Sequence, residues 1–144
     1  IAEAVALGAT PLIDSSEFTA DKGTDAYLAP QILINVNHKM RVMKDESFGP
    51  VVGIMAVASD DEAVDLMNDS PFGLTASIWT EDTDAALAIG KRIETGTVFM
   101  NRCDYLDPAL CWTGCKETGR GASLSSLGYM SVTRAKSYHL KKHK

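Results

Sequence analysis

The sequence predicts an α/β fold, a layer of parallel strands with helices between them in chain order. Three observations predict it. Residues 51–58 form a run of apolar and β-branched residues, which is how a buried strand reads. Ser59-Asp60-Asp61-Glu62 follows directly and has the spacing of a helix-opening capping box. The alternation then repeats: a strand pattern over 74–80, acidic Glu81, Asp82 and Asp84 where a helix dipole favours them, and a strand pattern over 97–101. Strand, helix, strand, helix, strand with short connections is the pattern of a parallel sheet.

In chain order, residues 2–7 read as the end of a helix, and Gly8 suits the left-handed stop that follows one. A helix already ending at residue 8 makes the chain start mid-element. Ile1 stands where an initiator Met would, which fits a tag, a processed end or a fragment. Residues 11–14 fit a short strand and 15–25 a polar loop. Residues 27–36 read as extended, and Pro30 makes that end a strand start or an edge because it lacks the N–H of a ladder. Within the capping box, Ser59 can accept from the amide three residues on and Glu62 can reach back. Beyond it, Ala63, Leu66 and Met67 share one helical face with Val64 beside it. Ser70-Pro71-Phe72-Gly73 ends that helix. Lys91 and Arg92 lie near the end of the second helix, which Gly96 is expected to stop.

From 102 to 128 the text is rich in Gly, Ser, Thr and Cys and has little periodicity. So long a stretch without clear elements inside a compact domain is often functional. Residues 129–134 carry no decisive pattern, and 136–141 alternate enough for a terminal strand. With no internal repeat and no linker, residues 1–144 read as one domain.

Length and composition bound the function. A domain of 144 residues buries roughly 70% of its unfolded surface, enough for a real core. The formal net charge of -5 argues against nucleic acid as the main partner, because phosphate binding needs a basic face. The basic cluster from His139 to Lys144 is accounted for by a solvated terminus. No apolar run approaches the ~20 residues of a membrane span, so no membrane partner is expected. Cys103, Cys111 and Cys115 are odd in number and clustered, which is no disulfide framework and points to a reducing, cytoplasmic setting. Cys111 and Cys115 have helical spacing, but no histidine lies near to complete a zinc set, and no metal site is expected. His38, His139 and His143 stand alone in sequence and are assigned no chemistry.

Five segments, taken in order, carry a family resemblance. Glu46-Ser47-Phe48-Gly49-Pro50-Val51 has the form E-x-F-G-P-V. Asp61-Glu62-Ala63 opens the next helix, followed by Asn68-Asp69-Ser70-Pro71-Phe72-Gly73-Leu74-Thr75-Ala76-Ser77. Then come Gly96-Thr97-Val98-Phe99-Met100-Asn101 and Lys116-Glu117-Thr118-Gly119-Arg120-Gly121, with the terminal strand pattern after them. Each is weak alone; in this order and spacing they are specific, and they span nearly the whole chain. The chain resembles the aldehyde dehydrogenase superfamily.

That resemblance implies a fold: the parallel-stranded α/β layer of the family's catalytic domain, truncated, with a C-terminal oligomerisation strand at about 136–144. Residues 1–144 would be the C-terminal portion of that domain. It implies an activity too. Family members oxidise an aldehyde to a carboxylic acid or acyl thioester with NAD or NADP; a cysteine thiolate attacks the aldehyde, a thiohemiacetal forms, and hydride leaves to the nicotinamide. The nucleophile, the general-base glutamate, the oxyanion-hole asparagine and the Rossmann-like cofactor domain all precede E-x-F-G-P in the family. Cys103, Cys111 and Cys115 follow it and cannot stand for the nucleophile, and no G-x-G-x-x-G occurs. The chain alone is therefore expected to hold no catalytic residue and to be inactive.

Individual roles follow from the same resemblance. Glu46 matches the glutamate that binds the nicotinamide ribose hydroxyls, a task suited to an acceptor-only carboxylate. Phe48 matches the aromatic beside the nicotinamide and equally fits a core phenylalanine. Gly49 and Pro50 look like turn chemistry. Residues 101–112 resemble the loop lining the aldehyde entrance, with Asp104, Leu106 and Trp112 on its substrate-facing positions. Trp112 would be an apolar wall with an N–H handle, or core packing. Cys111-Trp112-Thr113-Gly114 stands where Pro-Phe-Gly-Gly is frequent, which leaves the aldehyde open. Residues 116–121 would shape a turn that anchors the loop. Residues 136–141 match the strand that joins a partner subunit's sheet, giving a homo-oligomer, with an intramolecular edge strand as the alternative. Two other functions fit the residues: a nucleotide-binding module without turnover, and a module that only oligomerises. A truncated parallel sheet exposes strand edges, so self-association is expected.

Overall fold

In a computed structural model of the chain, helix α1 (Ala2–Ala6) ends at Leu7, and Gly8 takes φ 105°. The Ala9 amide then returns to the Ala4 carbonyl at 2.9 Å, so both small residues enter the core. The structure describes every residue except Asp25, Asp104, His143 and Lys144. It comprises two units, Ile1–Pro71 and Phe72–Lys144.

The first unit is built on strands β1 (Thr10–Pro11), β2 (Gln31–Ile34) and β3 (Val51–Gly53), in that spatial order. β1 runs antiparallel to β2, and β3 runs parallel to it. Pro30 stands directly before β2, where its missing donor costs no ladder bond. Gln31 is buried, yet both ends of its amide group are hydrogen-bonded. Oε1 accepts from the amides of Leu12, Ile13 and Ile32, and Nε2 donates to the Ile13 carbonyl. Those bonds offset the cost of burying it. Leu33 is completely buried among Ala4, Ala9, Val36 and Met40.

The run over 51–58 is a strand only at Val51–Gly53, and it is half-exposed where a buried strand was expected. The reason is the neighbour. The Ile54 amide still reaches the Leu33 carbonyl at 2.8 Å, but β2 ends at Asn35, whose φ of 58° turns the chain away, and the ladder stops. Helix α2 (Asp60–Asn68) follows. Ser59 Oγ accepts from the Glu62 amide at 3.2 Å as expected, while the Glu62 carboxylate accepts from the Ala58 amide at 2.7 Å. The reciprocal bond thus falls one residue earlier than in the standard box. Val64 is the buried residue of α2; Ala63, Leu66 and Met67 line a groove with His38, Met43 and Met55.

The second unit opens with β4 (Phe72–Gly73), β5 (Thr75–Ile78), α3 (Thr83–Gly90) and β6 (Thr97–Met100). β5 and β6 pair in parallel, from Thr75 opposite Thr97 to Ile78 opposite Met100. This is the expected strand-helix-strand crossover. Asp82 caps α3 by accepting from the Asp84 and Ala85 amides. The helix stops at Gly90 and not at Gly96, whose role is one of close approach, described below. Asn101 ends β6 at φ 54°, and its side chain continues the pairing: Oδ1 accepts from the Thr80 amide at 2.9 Å and Nδ2 donates to the Thr80 carbonyl at 2.7 Å.

The segment without sequence periodicity is ordered by two-residue strands, β7 (Trp112–Thr113), β8 (Cys115–Lys116) and β9 (Ala122–Ser123), and by helix α4 (Ser125–Val132). β8 pairs with β4 and β7 with β9, both antiparallel. Residues 136–142 form no strand and are exposed. A strand exists only where an edge meets it, and no described residue supplies one to this segment. No helix among the described residues is long and apolar enough to cross a membrane.

Candidate functional site

Glu46 and Phe48 lie on the connection into β3, and that connection is braced at both ends. On the near side a 3₁₀ turn at Arg41–Met43 receives the amides of Lys44 and Asp45 on the Arg41 carbonyl, at 2.9 and 2.7 Å. Arg41 Nε pairs with the Asp45 carboxylate at 2.7 Å, and the Arg41 amide donates to Glu3 at 3.2 Å. Lys44 Nζ donates twice to Asp69, to the carbonyl at 2.9 Å and to Oδ2 at 2.6 Å. His38 Nδ1 meets the same Oδ2 at 2.7 Å. On the far side the Gln31 amide donates to the Pro50 carbonyl at 2.8 Å, and the Val51 amide to the Gly49 carbonyl at 2.9 Å.

Between these braces the two side chains point away from the protein. The Glu46 carboxylate makes no hydrogen bond or ion pair among the described residues. Phe48 is 95% exposed, the barest large apolar side chain described. Phe48 is therefore not packed into the core of the described residues. Leaving it bare forgoes ~1.5–3 kcal/mol of burial. An acceptor-only carboxylate and an uncovered aromatic on one braced loop fit a sugar diol and a flat heteroaromatic ring. Charge reinforces the brace. Hydrogen bonds from Lys44 and then His38 hold the Asp69 carboxyl below the usual carboxylate range, so it stays ionised.

Of the residues expected at the aldehyde entrance, Trp112 pairs with Ser123 across β7 and β9. It is half-buried and lines a groove of about 390 Å³ with Leu74, Thr118, Arg120 and Ser131. Leu106 is exposed and does not line that groove. Asp104 lies outside the described residues. The loop before Trp112 has its own order. The Arg102 guanidinium stacks 3.9 Å above the Tyr105 ring, Ser77 Oγ donates to the Arg102 carbonyl, and Asp107 accepts from the Ala109 amide at 2.8 Å.

Residues 116–121 are tied to β4 and to the connection after α3. Thr118 Oγ1 accepts from the Gly73 amide at 2.7 Å, and Lys116 pairs with Glu94 at 2.9 Å. Gly96 completes the anchorage, because a Cβ there would lie 1.6 Å from the Thr113 carbonyl oxygen. All three cysteine thiols are free; Cys103 is exposed, and Cys115 sits opposite Gly73 in the β4–β8 ladder.

The model of the aldehyde dehydrogenase family matches residues 1–138. The chain belongs to the aldehyde dehydrogenase family. It is 37% identical over 115 residues to an aldehyde dehydrogenase of Paenarthrobacter nicotinovorans, which covers 80% of this chain and 25% of that protein. It is 38% identical over 106 residues to the succinate semialdehyde dehydrogenase [NAD(P)+] Sad of Escherichia coli, covering 74% of this chain and 23% of the relative. Among solved structures, lactaldehyde dehydrogenase of Escherichia coli superposes with a TM-score of 0.80 at 29% identity, over 90% of this chain and 27% of the other. Betaine aldehyde dehydrogenase of Staphylococcus aureus, in complex with NAD+, gives 0.78 at 27% identity, over 90% and 26%. The chain thus spans about a quarter of the length of the aldehyde dehydrogenases it matches.

Within this aldehyde dehydrogenase segment, some supporting residues gave little sequence signal. Asp69 sits inside one family segment, but nothing in its spacing announces Lys44 or His38 as partners. Gln31 reads as an ordinary strand residue until its burial is seen. Thr118 and Gly96 were legible only as parts of their segments.

Proposed function

We propose that these residues are the C-terminal portion of the catalytic domain of an NAD(P)-dependent aldehyde dehydrogenase, one that oxidises an aldehyde to a carboxylic acid through a cysteine thiohemiacetal. The observation that carries this is the loop of Glu46 and Phe48, braced at both ends and bare between. Relatives named for NAD(P)+ and a neighbour in complex with NAD+ support the cofactor. The bound dinucleotide supplies a hydride acceptor. The residues of this chain hold it: the Glu46 carboxylate accepts from the ribose hydroxyls, and the Phe48 face limits where the ring sits. Because the loop is ordered beforehand, little freedom is lost on binding.

Asp104, Leu106 and Trp112 line the aldehyde entrance in this proposal, with Trp112 as the apolar wall that excludes water. Residues 136–144 add a strand to a second copy's sheet, and the enzyme is a cytoplasmic homo-oligomer. The chain contributes no nucleophile, since its cysteines follow Glu46 and the family's nucleophile precedes it. Alone it does not turn over.

The test is Glu46→Gln in the full-length gene product that contains this chain. Losing a charge-assisted acceptor is expected to raise KM for the dinucleotide about tenfold. An unchanged KM would remove Glu46 from the cofactor site.

A further inference from the structure

Asp69 stands far from Glu46 in sequence, at the end of α2, yet the loop carrying Glu46 begins at a lysine that Asp69 holds. Lys44 is two residues before Glu46. Its ammonium spans the carbonyl and carboxylate of Asp69, at 2.9 and 2.6 Å, and His38 closes on the same carboxylate oxygen at 2.7 Å. We infer that Asp69, with Lys44 and His38, is a positioning residue for the dinucleotide: it ties the base of the Glu46 loop to the end of α2 and so sets where Glu46 and Phe48 point. This rests on the cofactor role proposed above.

Three features make the tether more than a surface ion pair, whose worth is usually small. Two of its bonds converge on one carboxylate oxygen, and the third uses the backbone carbonyl at the helix end. His38 is largely buried, with 17% of its side chain exposed, and it lies on the turn that carries fully buried Met40, so one side of the tether is rooted in the core. The other side is rooted through Val64 of α2. The remaining ties lie on the N-terminal side of Lys44: Arg41 pairs with Asp45 within the loop base, and the Arg41 amide donates to Glu3 of α1. Cutting Asp69 from Lys44 removes the tie nearest Glu46 on this side, while the Pro50 carbonyl still holds the far side.

The experiment has two arms and four variants. Asp69→Asn removes the charge; Lys44→Gln removes both lysine bonds and serves if the first variant folds poorly. Asp65→Asn, one turn earlier on α2, is the charge-matched control, and Glu46→Gln reports the cofactor role itself. In this chain, hydrogen exchange is followed at the amides of Met43, Lys44 and Asp45, which bond within the loop base. In the full-length protein, KM for the dinucleotide and kcat are measured. Asp69→Asn and Lys44→Gln are expected to speed exchange at those amides and to raise KM about tenfold, with kcat at saturating dinucleotide within about threefold and Asp65→Asn like wild type. Unchanged exchange overturns the tether. Faster exchange with an unchanged KM overturns the positioning role. An unchanged KM in Glu46→Gln as well traces the failure to the cofactor role, whereas a raised KM there alone confines it to the tether.

Discussion

Gly96 presses against Thr113 so closely that a Cβ on the glycine would stand 1.6 Å from the Thr113 carbonyl oxygen. The backbone leading into β6 therefore passes directly over β7, the strand that carries Trp112. Glycine is needed here for close approach of two backbones, not for an unusual φ. Gly96→Ala must push β7 away, and the expected loss is about 3 kcal/mol, the upper part of the overpacking range. Urea unfolding checks it; a wild-type midpoint would show that the crossing relaxes freely.

Ser59 accepts from the Glu62 amide as the cap of α2. Ser59→Ala should cost about 1 kcal/mol and Ser59→Gly only a few tenths. Equal losses in the two variants would mean that the hydroxyl is not the cap.

Asp69 makes stability depend on acid. Its folded carboxyl sits below the ordinary value, so the unfolded chain binds the proton more tightly. The stabilisation is full above the ordinary carboxylate range, near ~4, and is lost as pH falls through the lowered folded value. Asp14 and Asp21 are lowered as well, each mainly by local hydrogen bonds, so wild type alone would not isolate Asp69. The gap in urea midpoint between wild type and Asp69→Asn should therefore close as pH falls from about 5 through the lowered folded value. A gap that stays constant with pH would contradict this.

Residues 136–142 are exposed and unpaired with any described strand. Deleting 136–144 from the full-length protein should weaken its self-association in sedimentation without lowering the melting temperature of this segment. Unaltered association would place the subunit contact elsewhere.

Much of the fold was legible because local and tertiary signals agreed. The Ser59 cap, the acidic start of α3, the Gly8 stop and the parallel β5–β6 crossover rest on short-range chemistry that the residues display. Where the outcome depends on a neighbour, the sequence was silent. β3 is short because Asn35 ends its partner, and β7, β8 and β9 are too brief to show any period. The 136–141 alternation promised a strand, but alternation supplies no partner. The site was legible as types and positions, Glu46 and Phe48 on one loop, while the brace through Asp69 was not. It joins residues from two segments by side-chain reach alone.

The most direct test is aldehyde-dependent NADH production by this 144-residue chain beside the full-length gene product that contains it. Activity in the full-length protein alone is the expected result. Turnover by the short chain would mean that a nucleophile lies among Cys103, Cys111 and Cys115, and would contradict the division of labour proposed for Glu46 and Phe48.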